Sequence, residues 1–200
     1  MSIYVVFFGG WHASSTDMEL WRTTANNQRK DVTFDAIPFP SPHADAIHAV
    51  GAFEKKFAGV IKEIKDSGAD TIYIVGHSSG CALANELNSR IGGDHSHITL
   101  VTLDGFAPDD DQINGSNTVV WSAISNKLKP AEKGRKPKPY VSLNHDVLQK
   151  RYGSALQEWH SDAIGVWALH FSVVNSAASD KIEDASTGYA GCVANLMWLP

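Results

Sequence analysis

Two cysteines, Cys81 and Cys192, are all that this 200-residue chain carries. They are too few for a disulfide framework, and neither falls in a Cys-x-x-Cys or Cys/His pattern that would hold a metal. Cys81 is therefore expected to be a small core residue rather than a reactive thiol. Positive charge is scarce too. The formal net charge is −5, which offers no general attraction to nucleic acid or to an anionic membrane. No apolar run approaches membrane-spanning length. The first residues lack the basic n-region and long apolar h-region of a signal peptide, so a cytoplasmic protein with no membrane span is the expectation. No G-x-G-x-x-G or Walker A pattern follows any apolar run, which argues against a nucleotide binder. There is no internal repeat and no domain linker. With 43% hydrophobic residues, the chain suits a single domain over residues 1–200 with a substantial core.

What is present reads as strands alternating with helices. Ile3 to Phe8 is a continuous apolar run, expected as a strand buried on both faces and ended by Gly9-Gly10-Trp11-His12. Thr16 and Glu19 have capping-box spacing, which predicts a helix from about Asp17 to Gln28. Val32 to Phe39 reads as a second strand. Ser41-Pro42 predicts the start of a long amphipathic helix that carries Ile47, Val50, Phe53, Phe57, Ile61 and Ile64 and closes at Ser67-Gly68. Strand three is Thr71 to Val75, and a helix from Ser79 is expected to end at Gly92-Gly93. Ile98 to Leu103 and Thr118 to Ile124 follow as strands. Asn126 to Pro139 reads as a basic loop with Lys127, Lys129, Lys133, Arg135, Lys136 and Lys138. A helix from Asp146 to Trp159 and a sixth strand from Ile164 to Leu169, ending at His170, complete the pattern. The tail has one amphipathic stretch with Tyr189, Val193, Leu196 and Met197. The fold class predicted is α/β, a three-layer sandwich with a mainly parallel sheet of about six strands. With strand one between strands two and three, a crevice opens at the strand ends between Gly9-Gly10-Trp11 and Ser78.

That crevice contains the most informative stretch, Gly76-His77-Ser78-Ser79-Gly80. It follows a β-branched strand and precedes a helix, the context of a nucleophile elbow, in which a sharp turn exposes the serine hydroxyl. Glycines at 76 and 80 are needed because a Cβ at either would collide with a neighbouring strand or helix. The following helix aims its N-terminal amides at the same point, where they favour negative charge.

These residues resemble the α/β-hydrolase superfamily. The resemblance covers nearly the whole chain by order of elements and is specific at Phe8-Gly9-Gly10-Trp11, Gly76 to Gly80, Leu103-Asp104-Gly105 and Leu169-His170-Phe171. The chain is similar to a minimal member that begins at the superfamily's third strand. The resemblance implies a serine hydrolase of carboxylic esters, lipase- or esterase-like, with its triad in the chain order Ser, Asp, His. On that order Ser78 is the nucleophile. His170 is the base, with His160 and then His145 as alternatives. Asp104 is the acid, at the earlier of the two strand positions the superfamily uses, as in pancreatic-type lipases. The oxyanion hole is implied to take the backbone N–H of Ser79 and a second from Gly10 or Trp11. Trp11, His12, His77 and Trp121 are the candidate substrate contacts, and the short connection from Asp104 to Thr118 implies an open, lidless site. No cofactor or metal is implied. Asp109, Asp110 and Asp111 are expected as a solvated loop, because their spacing does not match an EF-hand. The partner is a small acyl ester or thioester. An acyl thioesterase on the same triad, with the basic loop holding an anionic part of the substrate, and a non-catalytic binding protein on the same fold are the alternatives.

Overall fold

In the computed structural model, which describes residues 1–91, 96–105, 117–129, 133–136, 138–177 and 182–199, the first apolar run forms β1 (Ile3–Phe8). Val5 to Phe8 are fully buried there, as a central strand requires. Next come α1 (Ser15–Gln28), β2 (Val32–Ile37), α2 (Ala46–Asp66), β3 (Thr71–His77), α3 (Gly80–Ile91), β4 (Ile98–Leu103) and β5 (Thr118–Lys129). The chain continues through β6 (Lys138–Val141), α4 (His145–Tyr152), β7 (Leu156–Ser161) and α5 (Val166–Ser172). The sheet runs β2-β1-β3-β4-β5-β6, with β7 on β5. Every pairing is parallel except β5 with β6. The predicted α/β class and the place of β1 between β2 and β3 both hold. Strand order reverses between β1 and β3, so the C-terminal ends of β1, β3 and β4 open on one rim.

One face of the sheet is covered by α2 and α3, whose Phe53, Phe57, Leu83 and Leu87 pack on Val6, Phe8, Ile72 and Ile74. The other is covered by α1, by α5 and by the tail, where Trp21 stacks on Phe7 with ring centroids 4.3 Å apart and Tyr189, Leu196 and Trp198 close the layer. Cys81 is buried, as expected, and its thiol donates to the Gly76 carbonyl. No helix among the described residues is long and apolar enough to cross a membrane.

Several elements differ from expectation. The capping box of α1 is Ser14 with Asp17, two positions before the one predicted. The second helix does not begin at Ser41-Pro42. Asp45 is its N-cap, accepting from the His48 N–H, while the Trp11 indole N–H holds the Pro42 carbonyl. α3 begins at Gly80 rather than Ser79. The predicted helix over Asp146 to Trp159 ends at Tyr152, because Gly153 at φ 52° provides a left-handed stop. The chain then turns into β7, the last parallel strand. The segment predicted as the sixth strand is instead the short helix α5, since a brief apolar run fits a buried helix as well as a strand. The basic segment is in part a ribbon, with Ile124 to Lys129 paired antiparallel to Lys138 to Val141. Pro139 is tolerated because β6 is an edge strand. In the tail, Tyr189 and Leu196 are buried, but the amphipathic stretch forms turns and bends, not a helix. Gly92-Gly93, the Asp109 to Asp111 run and most of the connection from Asp104 to Thr118 lie outside the described residues.

Candidate active site

The turn after β3 is made by sterics. A Cβ on Gly76 would lie 2.5 Å from the Cys81 Cα, and one on Gly80 would lie 2.4 Å from the Phe8 carbonyl oxygen and 2.6 Å from that of Gly9. Both are backbone contacts that cannot swing aside. Gly80→Ala is therefore expected to destabilise the fold by about 3 kcal/mol, the upper range for overpacking, as read by urea unfolding. A wild-type midpoint would contradict this close approach of α3 to β1. Between the two glycines Ser78 has φ 53°, a left-handed conformation that a serine holds only under constraint. Its residue is partly exposed, while its neighbours His77 and Ser79 are buried.

Ser78 is not alone in this strain. Among the described residues, three that are not glycine have positive φ: His12 at 71°, Ser78 at 53° and Asp104 at 46°. They stand beyond the C-terminal ends of β1, β3 and β4, which are adjacent in the sheet. Each such residue costs of order 1–3 kcal/mol, so the rim stores strain contributed by three separate strands.

Asp104 is fully buried. Its Oδ2 is hydrogen-bonded by His170 Nδ1, from a ring only 2% exposed. Its Oδ1 accepts from the Ser142 hydroxyl at 2.6 Å, the Ala123 N–H at 3.1 Å and the Ser122 hydroxyl at 3.3 Å. Burial alone would raise this carboxyl, but the bonds from His170, Ser142 and Ala123 hold it below its ordinary value. Asn144 donates to its carbonyl at 3.0 Å. Because an ionised carboxylate only accepts, His170 must carry a hydrogen on Nδ1, and in the neutral form of the ring the lone pair is then on Nε2. His145 reaches this network indirectly, through Ser122 at 3.0 Å. His160 is exposed on β7 beside Glu158.

The sequence predicts His77 as a substrate contact. The structure corrects this: His77 is fully buried, and both ring nitrogens are bonded to protein. Its Nε2 meets the His170 carbonyl at 3.0 Å. A carbonyl can only accept, so Nε2 carries the hydrogen and Nδ1 takes the Tyr189 hydroxyl proton at 2.5 Å. The Tyr189 oxygen accepts the Gly10 N–H at 2.7 Å. This chain of bonds ties the loop after β1, the turn after β3, the tail and α5 together. Burial, then the neighbouring His170, pushes His77 down to about 3, so it is neutral. Burial drives the Tyr189 hydroxyl the other way, well above its ordinary value.

The same bonds correct the expectation for Gly10, whose amide is taken by Tyr189 and is not free to hold an oxyanion. Trp11 N–H instead donates to the Ser79 hydroxyl at 2.7 Å. The Trp11 side chain is half-buried, and its ring lies 4.0 Å from that of the exposed His12. Trp121 is half-buried on the tail side of the sheet, edge-on to Trp159, and lines a cleft of about 400 Å³ with Tyr73, Val101, Val119 and residues 197–199. Ser142, Ser122, Asn144 and Tyr189 went unrecognised in the sequence. Each is an isolated polar residue or tail aromatic with no motif around it.

A search of family models and of curated proteins finds no match. Among solved structures, the chain is similar to a protein described as a hydrolase of the alpha/beta superfamily from Xanthomonas campestris, with 12% identity and a TM-score of 0.48 over 80% of this chain and 86% of that one. A protein described as a CIB-like hydrolase from Thermoplasma acidophilum is similar at 14% identity and a TM-score of 0.45, over 79% and 75%. An extracellular alpha/beta-hydrolase from a Paenibacillus species is similar at 18% identity and a TM-score of 0.38, over 55% of this chain. The match spans only 43% of that protein.

Proposed function

We propose that this chain is a serine hydrolase of the α/β superfamily that cleaves carboxylic esters through an acyl-enzyme. Ser78 is the nucleophile, His170 the general base and Asp104 the acid that orients it. The observation that carries this proposal is the buried His170–Asp104 pair, placed at the same strained rim as a serine in a left-handed turn.

A neutral serine hydroxyl is a weak nucleophile. His170 Nε2 takes its proton as Oγ attacks the carbonyl carbon, and returns that proton to the leaving alkoxide. Asp104 keeps the imidazole in the Nδ1–H form and stabilises the imidazolium that appears in between. The oxyanion is held by the backbone N–H of Ser79 and that of Trp11, each worth about 3–4 kcal/mol of the barrier. Water, deprotonated by the same nitrogen, then releases the acid.

A fluorophosphonate probe tests this directly. Wild-type protein is expected to form a covalent adduct on the peptide that contains Ser78, and Ser78→Ala is expected to stay unlabelled. Labelling that survives the substitution would remove the proposed nucleophile. Hydrolysis of p-nitrophenyl acyl esters compared with acyl-CoA then separates an esterase from a thioesterase.

A further inference from the structure

We propose that the Ser79 hydroxyl is a built-in occupant of the oxyanion site, holding the Trp11 amide while the site is empty and giving it up when negative charge develops. The inference rests on the serine-hydrolase proposal for this same rim. It starts from one bond, Trp11 N–H to Ser79 Oγ at 2.7 Å, made by a side chain in a residue only 5% exposed.

Geometry locates that oxygen. Oγ is three covalent bonds from its own backbone nitrogen, and ordinary bond lengths keep two such atoms within about 3.7 Å of each other. It is also 2.7 Å from the Trp11 nitrogen. It therefore occupies the Trp11 N–H, one of the two amides proposed to stabilise the tetrahedral intermediate, and lies close to the other, so the substrate oxygen has to displace it from Trp11. Gly10 cannot replace Trp11, since the Tyr189 oxygen holds its N–H at 2.7 Å. The loop also lies close to the nucleophile: a Cβ on Gly10 would lie 2.8 Å from the Ser78 Cβ.

The energetics favour an exchange that depends on charge. A serine hydroxyl and the carbonyl of a bound ester are both neutral acceptors, so neither has a decisive claim on the Trp11 N–H. An oxyanion accepts roughly twice as strongly as a neutral group. The hydroxyl thus yields to the intermediate and not to the ground state. Interactions that strengthen only in the transition state are the ones that accelerate the step. In the empty site the same hydroxyl gives the part-buried Trp11 N–H an acceptor.

Two measurements test this. In Ser79→Ala the Trp11 amide has no internal acceptor. KM for a p-nitrophenyl ester is expected to fall and kcat/KM to rise about 3- to 10-fold, the range of one neutral hydrogen bond. A fall in kcat/KM would make the hydroxyl a donor or a strut and overturn the inference, as would an unchanged KM and kcat/KM. The second measurement uses wild-type protein. The Trp11 amide proton, followed by NMR, is expected to move downfield when Ser78 is phosphonylated, as its partner changes from a hydroxyl to an anionic oxygen. An adduct that leaves this resonance in place overturns the occupant while sparing the nucleophile. Failure of the wild type to form any adduct removes the hydrolase proposal itself.

Discussion

Asp104→Asn is expected to lower kcat by about 10⁴ with little change in KM, although the side chains are nearly identical in shape. The reason lies in the donors around the carboxylate. Oδ1 accepts from Ser142, Ala123 and Ser122, so an asparagine would place its carbonyl oxygen there. Its NH₂ group would then face His170 Nδ1. Two donors cannot share a hydrogen bond, so His170 would shift its hydrogen to Nε2 and present an N–H, not a lone pair, toward Ser78. The serine would keep its proton. Fluorophosphonate labelling should slow in parallel, while the urea midpoint separates this effect from loss of fold. A fall of less than about tenfold would mean that His170 is not the base, and His145, two bonds from the same carboxylate through Ser122, would be next in line.

The second large effect concerns acid. His77 is fully buried and is pushed from 6.5 down to about 3 by burial and by His170. The unfolded chain binds this proton more readily than the native one, so stability rises with pH across that window and falls as pH drops from 6.5 toward 3. Between pH 7 and pH 4.5 the loss from this one ring is expected to be about 2 to 3 kcal/mol. Asp104 does not confuse the measurement, since a carboxyl held low gives up its contribution only below the ordinary carboxylate range. His77→Gln, which has no titrating group, is expected to be less stable at pH 7 and to lose much less on acidification. Equal slopes in urea unfolding for the two proteins would show that the ring is not what the acid attacks.

The rim was legible in the sequence because its parts obey local rules. Gly76 and Gly80 around Ser78 state a turn that only glycine permits, and the β-branched runs of β1, β3 and β4 fix the neighbouring strands. Asp104 before Gly105 marked a strand end in the same way. The region after Asn126 was less legible. The helix α5, seven residues ending at Ser172, is too short for its apolar period to show, and Gly153 was the one local sign that the preceding helix would stop early. Chain order places His170 at the rim although the apolar run that carries it predicts a strand and forms a helix. The roles of Tyr189, Ser142 and the Ser79 side chain could not be anticipated. Their partners are distant in the sequence, and a hydrogen bond between distant residues leaves no periodicity.

The bond from Gly10 to Tyr189 joins positions 179 residues apart. During synthesis the loop after β1 is made 179 residues before the hydroxyl that fastens it. The sheet can assemble on the ribosome well before that moment. A chain translated only through β4 would thus own Ser78 and the strands around it without the clasp that draws amide, turn and imidazole together.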